Sequence, residues 1–217
     1  RSVRCHLSRG AQGATRYNIS KLVFKELPLV FPLAKEQQKI AHCLSSLDEV
    51  MGLQAKKVQA LKQHKKGLMQ QLFPAEGETT PRLRFPDFRE AGAWEVKRLG
   101  EVANISMGAS PKSASYNDQR IGLPLIQGNA DIKDRKSSPR LFASQITREC
   151  WVGDILVGVR APVGMVAKSE HHACIGRGIS ALCVKGEDRQ EFLYQWLLWY
   201  EPHWVSISQG GTFDSVN

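Results

Sequence analysis

The spacing of apolar and polar positions changes character along the chain. Within Ala34 to Phe73, ten positions (Ile40, Leu44, Leu47, Met51, Gln54, Val58, Leu61, Lys65, Leu68 and Leu72) follow one another in alternating steps of four and three residues. That is the seam of a heptad repeat, and eight of the ten positions are apolar. Pro32 and Pro74 bracket the run where proline tolerates a helix start and enforces a stop. Gly52 and Gly67 each cost about 1 kcal/mol relative to alanine inside a helix, so packing must hold this element. At 1.5 Å per residue it is a rod of about 60 Å. Gln54 and Lys65 interrupt the seam as polar residues do when they fix register. A seam of that length calls for a partner helix.

Elsewhere the periods are shorter. Leu27 to Pro32 is an apolar run closed by prolines, suited to an edge strand or a packed extended segment. Residues 74–94 have the composition of a linker. From Trp94 onward, short apolar stretches alternate with Gly, Pro and Asn. Residues 122–129, 153–160 and 179–184 predict strands, and Glu187 to Tyr200 predicts an amphipathic helix. The fold class expected is α+β: an irregular mixed domain plus one long coiled-coil helix. One short echo links Gln12-Gly13-Ala14-Thr15 to Gln209-Gly210-Gly211-Thr212.

Composition sharpens the picture. The 217 residues are 42% hydrophobic and 24% charged, enough to bury a core. No apolar run reaches the ~18 residues of a membrane span. The chain opens on Arg1-Ser2-Val3-Arg4 with no leader-like segment, and it reads as a piece of something longer. Five scattered cysteines without a CxxC pair fit a reducing, cytoplasmic setting. The net charge is +9, which favours a polyanionic partner. Residues 1–94 hold 16 Lys+Arg against 8 Asp+Glu, whereas residues 95–217 hold 14 against 13, so the basic character is not a uniform coat. Lys133, Arg135, Lys136 and Arg140 nevertheless cluster in the second part; a solvated face is the plain alternative for such a run.

Catalytic patterns are thin. Asp87 after Pro86, followed by Glu95-Val96-Lys97, imitates the carboxylate–carboxylate–lysine set of metal-dependent nucleases, although the intervening residues include Gly92 and read as linker. His171-His172-Ala173-Cys174 has no second ligand pair at finger spacing and reads as a surface turn with a buried Cys174. Phosphate loops, dinucleotide loops and nucleophile elbows are missing from the sequence. No cofactor and no metal are expected.

Pro32 to Ala41, running into Leu61 to Pro74, closely resembles the helical spacer of type I restriction–modification specificity subunits. Arg84-Phe85-Pro86-Asp87-Phe88, with Trp94 to Gly100, is similar to the start of the next repeat in that family. Gly153-Asp154-Ile155-Leu156, Arg160-Ala161-Pro162-Val163-Gly164 and Gln209-Gly210-Gly211-Thr212-Phe213 resemble motifs of its target-recognition domain. The resemblance implies two recognition domains in the parent protein, each reading half of a bipartite site, with long antiparallel helices as a ruler. It further implies a subunit without a catalytic centre, which partners double-stranded DNA and scaffolds methyltransferase and restriction subunits. The division expected is 1–33 as the tail of an upstream recognition domain, 34–73 as spacer helix, 74–94 as linker and 95–217 as a recognition domain.

A DNA reader needs Lys and Arg for phosphates and polar loop side chains for base edges. The candidates are Lys112, Ser113, Gln127, Asn129, Lys133, Arg135, Lys136, Arg160, Arg177, Gln209 and Thr212; Arg160 has pairing with Asp154 as its alternative. Ile40, Leu44, Leu47, Met51, Val58, Leu61, Leu68 and Leu72 are the helix-pairing set. A homodimer through this helix is expected, because the partner helix implied by the resemblance would follow Asn217. Two rivals stand beside this reading: a metal-dependent nuclease using Asp87, Glu95 and Lys97, and a pure coiled-coil assembly module.

Overall fold

The computed structural model describes residues 11–12, 18–160 and 163–204, the residues up to Ile19 in backbone only. Gln209, Thr212 and the Gln-Gly echo fall outside the described residues. The chain forms two compact units, residues 1–62 and 63–217.

In the first unit, β1 (Ala11–Gln12) pairs antiparallel with β2 (Asn18–Ile19). A short helix α1 (Lys21–Lys25) follows, its N-terminus capped by Ser20 Oγ accepting from the Val23 N–H. The apolar run Leu27–Pro32 is neither an edge strand nor packed. Leu29, Val30 and Phe31 are exposed, and two prolines deny the segment the donors a ladder needs. The Pro32 carbonyl instead accepts from Gln37 Nε2 at 2.7 Å, anchoring the first turn of the long helix α2 (Ala34–Leu72). The expected rod thus forms as one continuous element of 39 residues. Its seam from Ile40 to Leu61 stays open, with Ile40 at 47% and Met51 at 68% exposure.

The second unit is built on strands. Helix α3 (Leu99–Val102) leads into β3 (Ala103–Met107). Then come β4 (Tyr116–Asn117), β5 (Leu123–Ile126), β6 (Ile132–Lys133), β7 (Lys136–Ser137), β8 (Leu141–Ala143) and β9 (Glu149–Cys150). They are followed by β10 (Ile155–Gly158), β11 (Val166–Lys168), β12 (Ala173–Ile175) and β13 (Ile179–Val184), and by helix α4 (Gln190–Tyr200). One sheet has the order β3-β13-β10-β11-β7-β6 and the other β4-β8-β5-β12-β9. Most pairings are antiparallel; β11 with β7 and β12 with β5 are parallel. The expected α+β class is realised, and the strands predicted near 122–129, 153–160 and 179–184 are β5, β10 and β13.

Alternation along β10 explains the layering. Ile155 and Val157 join Leu182, Leu193 and Leu197 in a core between the six-stranded sheet and α4. Leu156, one residue out of phase, joins Ile126, Ile175 and Ala181 in the core between the two sheets. A strand buried on both faces reads as a continuous apolar run, which is what residues 155–157 show. Lys168 clamps α4 to this sheet: its ammonium lies 4.7 Å from the Tyr194 ring centroid and pairs with Glu191. That bond holds the Glu191 carboxyl below its ordinary pKa.

Residues 74–94 contain no strand or α-helix, yet their backbone is tied down. The Leu83 N–H donates to Gln71 O, the Trp94 N–H donates to Thr79 O, and the Arg84 guanidinium forks onto the carbonyls of Phe88, Ala91 and Gly92.

Candidate nucleic-acid interface

A polar cavity of about 320 Å³ opens where β3, β5, β10 and β12 end. Its wall comes from four places: Ser110 beyond β3 with Tyr116 at the start of β4, Gln127–Gly128–Asn129 beyond β5, Arg160 beyond β10, and Arg177–Gly178 in the link from β12 to β13. That link carries the chain from one sheet to the other.

Glycines allow the loops to meet backbone to backbone. A Cβ on Gly178 would sit 2.4 Å from Gln127 O, and one on Gly108 would sit 2.2 Å from Gly176 O. Ordinary hydrogen bonds seal the contacts: Gly176 N to Ile126 O at 2.8 Å, Ala109 N to Ile175 O at 3.0 Å and Val159 N to Gly178 O at 3.0 Å. Ser110 Oγ accepts from the Arg177 backbone N–H at 3.2 Å and lies 3.4 Å from its Nε. Buried Asp131 holds the second loop: its Oδ2 accepts the Gln127 N–H at 2.9 Å and its Oδ1 accepts Arg140 Nε at 3.2 Å. Tyr116 Oη donates to Pro111 O at 3.1 Å.

None of the eight lining residues is acidic, and two are arginines. Arginines and side-chain amides carry the forked and paired donors and acceptors that read base edges in a groove.

Four sequence-predicted residues, Gln127, Asn129, Arg160 and Arg177, come together here from three loops. Lys112 and Ser113 lie exposed in the stretch between the lining residues Ser110 and Tyr116. Ser110 and Tyr116 were not expected; the small-residue turn Gly108-Ala109-Ser110-Pro111 was the available signal. Lys133, Arg135 and Lys136 are not at the cavity. They sit on the two-residue hairpin joining β6 to β7, where Asp134 and Arg135 have φ of 49° and 65°. Arg135 Nη1 donates to Val166 O at 3.1 Å and to Glu201 at 2.5 Å, and Lys136 pairs with Glu170 at 2.9 Å. Arg135 is therefore engaged as a brace for its own hairpin. Arg160 faces the cavity, while the Asp154 carboxylate accepts the Trp151 N–H at 2.7 Å.

No observation supports the nuclease trio. Lys97 pairs with Glu95 at 3.2 Å on an exposed surface, and Asp87 lies on an exposed 3₁₀ turn. Among the described residues, no three His, Cys, Asp or Glu side chains are grouped as metal ligands. His172 stacks on Trp151 at 4.0 Å and lies 2.5 Å from Glu149, next to buried Cys174. No helix among the described residues is long and apolar enough to cross a membrane.

A family model described as the type I restriction modification DNA specificity domain matches residues 6–63 and 92–217. The chain belongs to that family. It is 31% identical over 205 residues to a Methanocaldococcus jannaschii protein bearing the name of the type I restriction enzyme MjaX specificity subunit, covering 92% of this chain and 48% of that protein. Among solved structures, the HsdS subunit from Thermoanaerobacter tengcongensis is similar at 27% identity and a TM-score of 0.59, over 99% of this chain and 55% of that one. A chain from a study of complex assembly and conformational transition in the type I R-M system is 29% identical with a TM-score of 0.62, over 99% and 53%. The chain thus spans about half the length of these relatives. Between the two matched stretches, residues 64–91 of this chain hold the last part of α2 and most of the tied segment that follows it.

Proposed function

We propose that this chain recognises one half of a bipartite duplex DNA site for a type I restriction–modification complex, without catalytic activity of its own. The observation that carries the reading is the polar cavity, where Gln127, Asn129, Arg160 and Arg177 converge from loops on a two-sheet frame. Family membership supports it, and so does the +9 charge. The domain assignment that goes with it is a tail of an upstream recognition domain at 1–33, a spacer helix at 34–73, a linker at 74–94 and the reader at 95–217. Methyltransferase and restriction subunits would supply the chemistry, in the cytoplasm. Lys112 and Ser113, between two lining residues, and Lys133, exposed on its hairpin, suit phosphate contacts.

Two copies pair through the open seam of α2 in this reading. Six apolar side chains from Ile40 to Leu61 are about half exposed or more, and a two-fold pair is the simplest way to cover them. Light scattering should give twice the monomer mass, and Leu47→Lys with Leu61→Lys should return the monomer. A monomeric parent chain defeats that part of the proposal.

The recognition reading is tested by selecting a preferred site from random duplexes and then substituting Arg160→Ala. The expected loss is about 1–3 kcal/mol on the preferred site and little on unrelated duplex. Binding should weaken with salt at a slope of roughly −3 to −4 in log–log form for about four phosphate contacts. Selection that returns random sequence, or a flat salt response, would sink the reading.

A further inference from the structure

The geometry points to Asp131 and Arg140 as a positioning pair that sets the sequence preference of the cavity without touching DNA; this rests on the recognition reading above. Asp131 is one of two buried carboxylates among the described residues, at 5% exposure. Its two oxygens work in different directions. Oδ2 accepts the N–H of Gln127 at 2.9 Å, and Oδ1 accepts Arg140 Nε at 3.2 Å. The backbone closes the same turn, with Asp131 N donating to Gly128 O at 3.0 Å and Ser138 N donating to Asp131 O at 2.7 Å. Gln127, Gly128 and Asn129 therefore hang between the end of β5 and a fixed carboxylate.

Those three residues form one wall of the cavity, and the amides of Gln127 and Asn129 are the groups there best suited to base edges. A buried carboxylate is costly unless it is paired and hydrogen-bonded. Arg140 supplies the charge, with its own side chain 69% exposed. An exposed arginine on a basic protein reads naturally as a phosphate contact. Here its Nε is already committed to Asp131, so its part is to hold a loop. Hydrophobic packing does not duplicate that hold, because Gly128 has no side chain and Gln127 and Asn129 are only half-buried.

The test uses the full chain and two fluorescent duplexes: its selected site, and the same site changed at one base pair. Melting temperature and salt slope are measured in parallel. Asp131→Ala should lower the discrimination ratio about tenfold. Arg140→Gln should lower it a few-fold. Asp131→Asn, which keeps an acceptor for the Gln127 N–H, should recover most of the ratio. Binding to unrelated duplex and the salt slope should not change in any of the three.

If Arg140→Gln weakens all duplexes alike and reduces the salt slope by about one, Arg140 is a phosphate contact and the inference is overturned. A lowered melting temperature with unchanged discrimination in Asp131→Ala and Arg140→Gln also overturns it, since the pair would then be structural only. Arg160→Ala and Gln127→Ala are the controls. If these too leave discrimination intact, the cavity reading fails and the positioning role falls with it. If they reduce it while Asp131→Ala does not, only the positioning role fails.

Discussion

Within residues 63–217, a polar and an apolar cavity differ in nearly every respect. The polar one, about 320 Å³, is walled by loops that touch through their backbones. The apolar one, about 840 Å³, is walled by side chains: Leu68 and Leu72 of α2, Phe85, Phe88 and Trp94 of the following segment, and Phe192 of α4. Beneath it Phe73 is buried, with ring centroids 5.8 Å from Phe192 and 5.5 Å from Trp199. Side-chain packing resists volume loss poorly but tolerates shifts of backbone. Backbone locking does the reverse. The same unit therefore has one region whose stability is vulnerable and one whose shape is.

The largest expected effect is on the apolar side. Phe73→Ala should cost about 3–5 kcal/mol in denaturant unfolding, as large-to-small core changes do, with base discrimination unchanged in the molecules still folded. A loss of discrimination at constant folded fraction would erase the contrast between the regions. Next comes Gly178→Ala. A methyl group 2.4 Å from Gln127 O must move backbone, so about 1–3 kcal/mol of stability should go together with most of the site preference. Retained preference in that variant would show that the loops are not locked.

The smallest effect concerns Asp154, in the turn before β10. Burial raises its carboxyl pKa, and the Trp151 N–H and Cys183 only partly offset this. Because the folded value lies above the unfolded one, its favourable contribution is full below about pH 3.9 and is lost as pH rises through the folded value. Asp154→Asn keeps an acceptor for Trp151, so it should give a small rise in Tm at neutral pH and a flatter Tm from pH 4 to 7. A steeper profile would reverse the assignment.

The sequence showed the long elements and hid the short ones. The α2 seam runs through ten positions, and β10 and β13 are apolar runs of four to six residues, so their periods are readable. Strands β4, β6, β7 and β9 have two residues each, too few for a period of two to register. Of the cavity, Gln127, Asn129, Arg160 and Arg177 were legible as polar residues in Gly-rich loops, but their convergence was not. It depends on the β12–β13 link changing sheets. Arg135 looked like the rest of its basic cluster, because nothing local reveals a bond to Val166 or Glu201 more than thirty residues away. Leu27–Pro32 misled because apolar content alone does not bury a segment that prolines keep out of a sheet.

The backbone-to-backbone closure of the polar cavity also bears on how such a molecule changes over generations. Since glycines and main-chain atoms hold the loops together, the side chains at 127 and 160 carry little of the structural burden. Both are therefore open to exchange with little penalty to folding, so the frame suits drift toward new preferences. A library randomised at these two positions should yield mostly folded members.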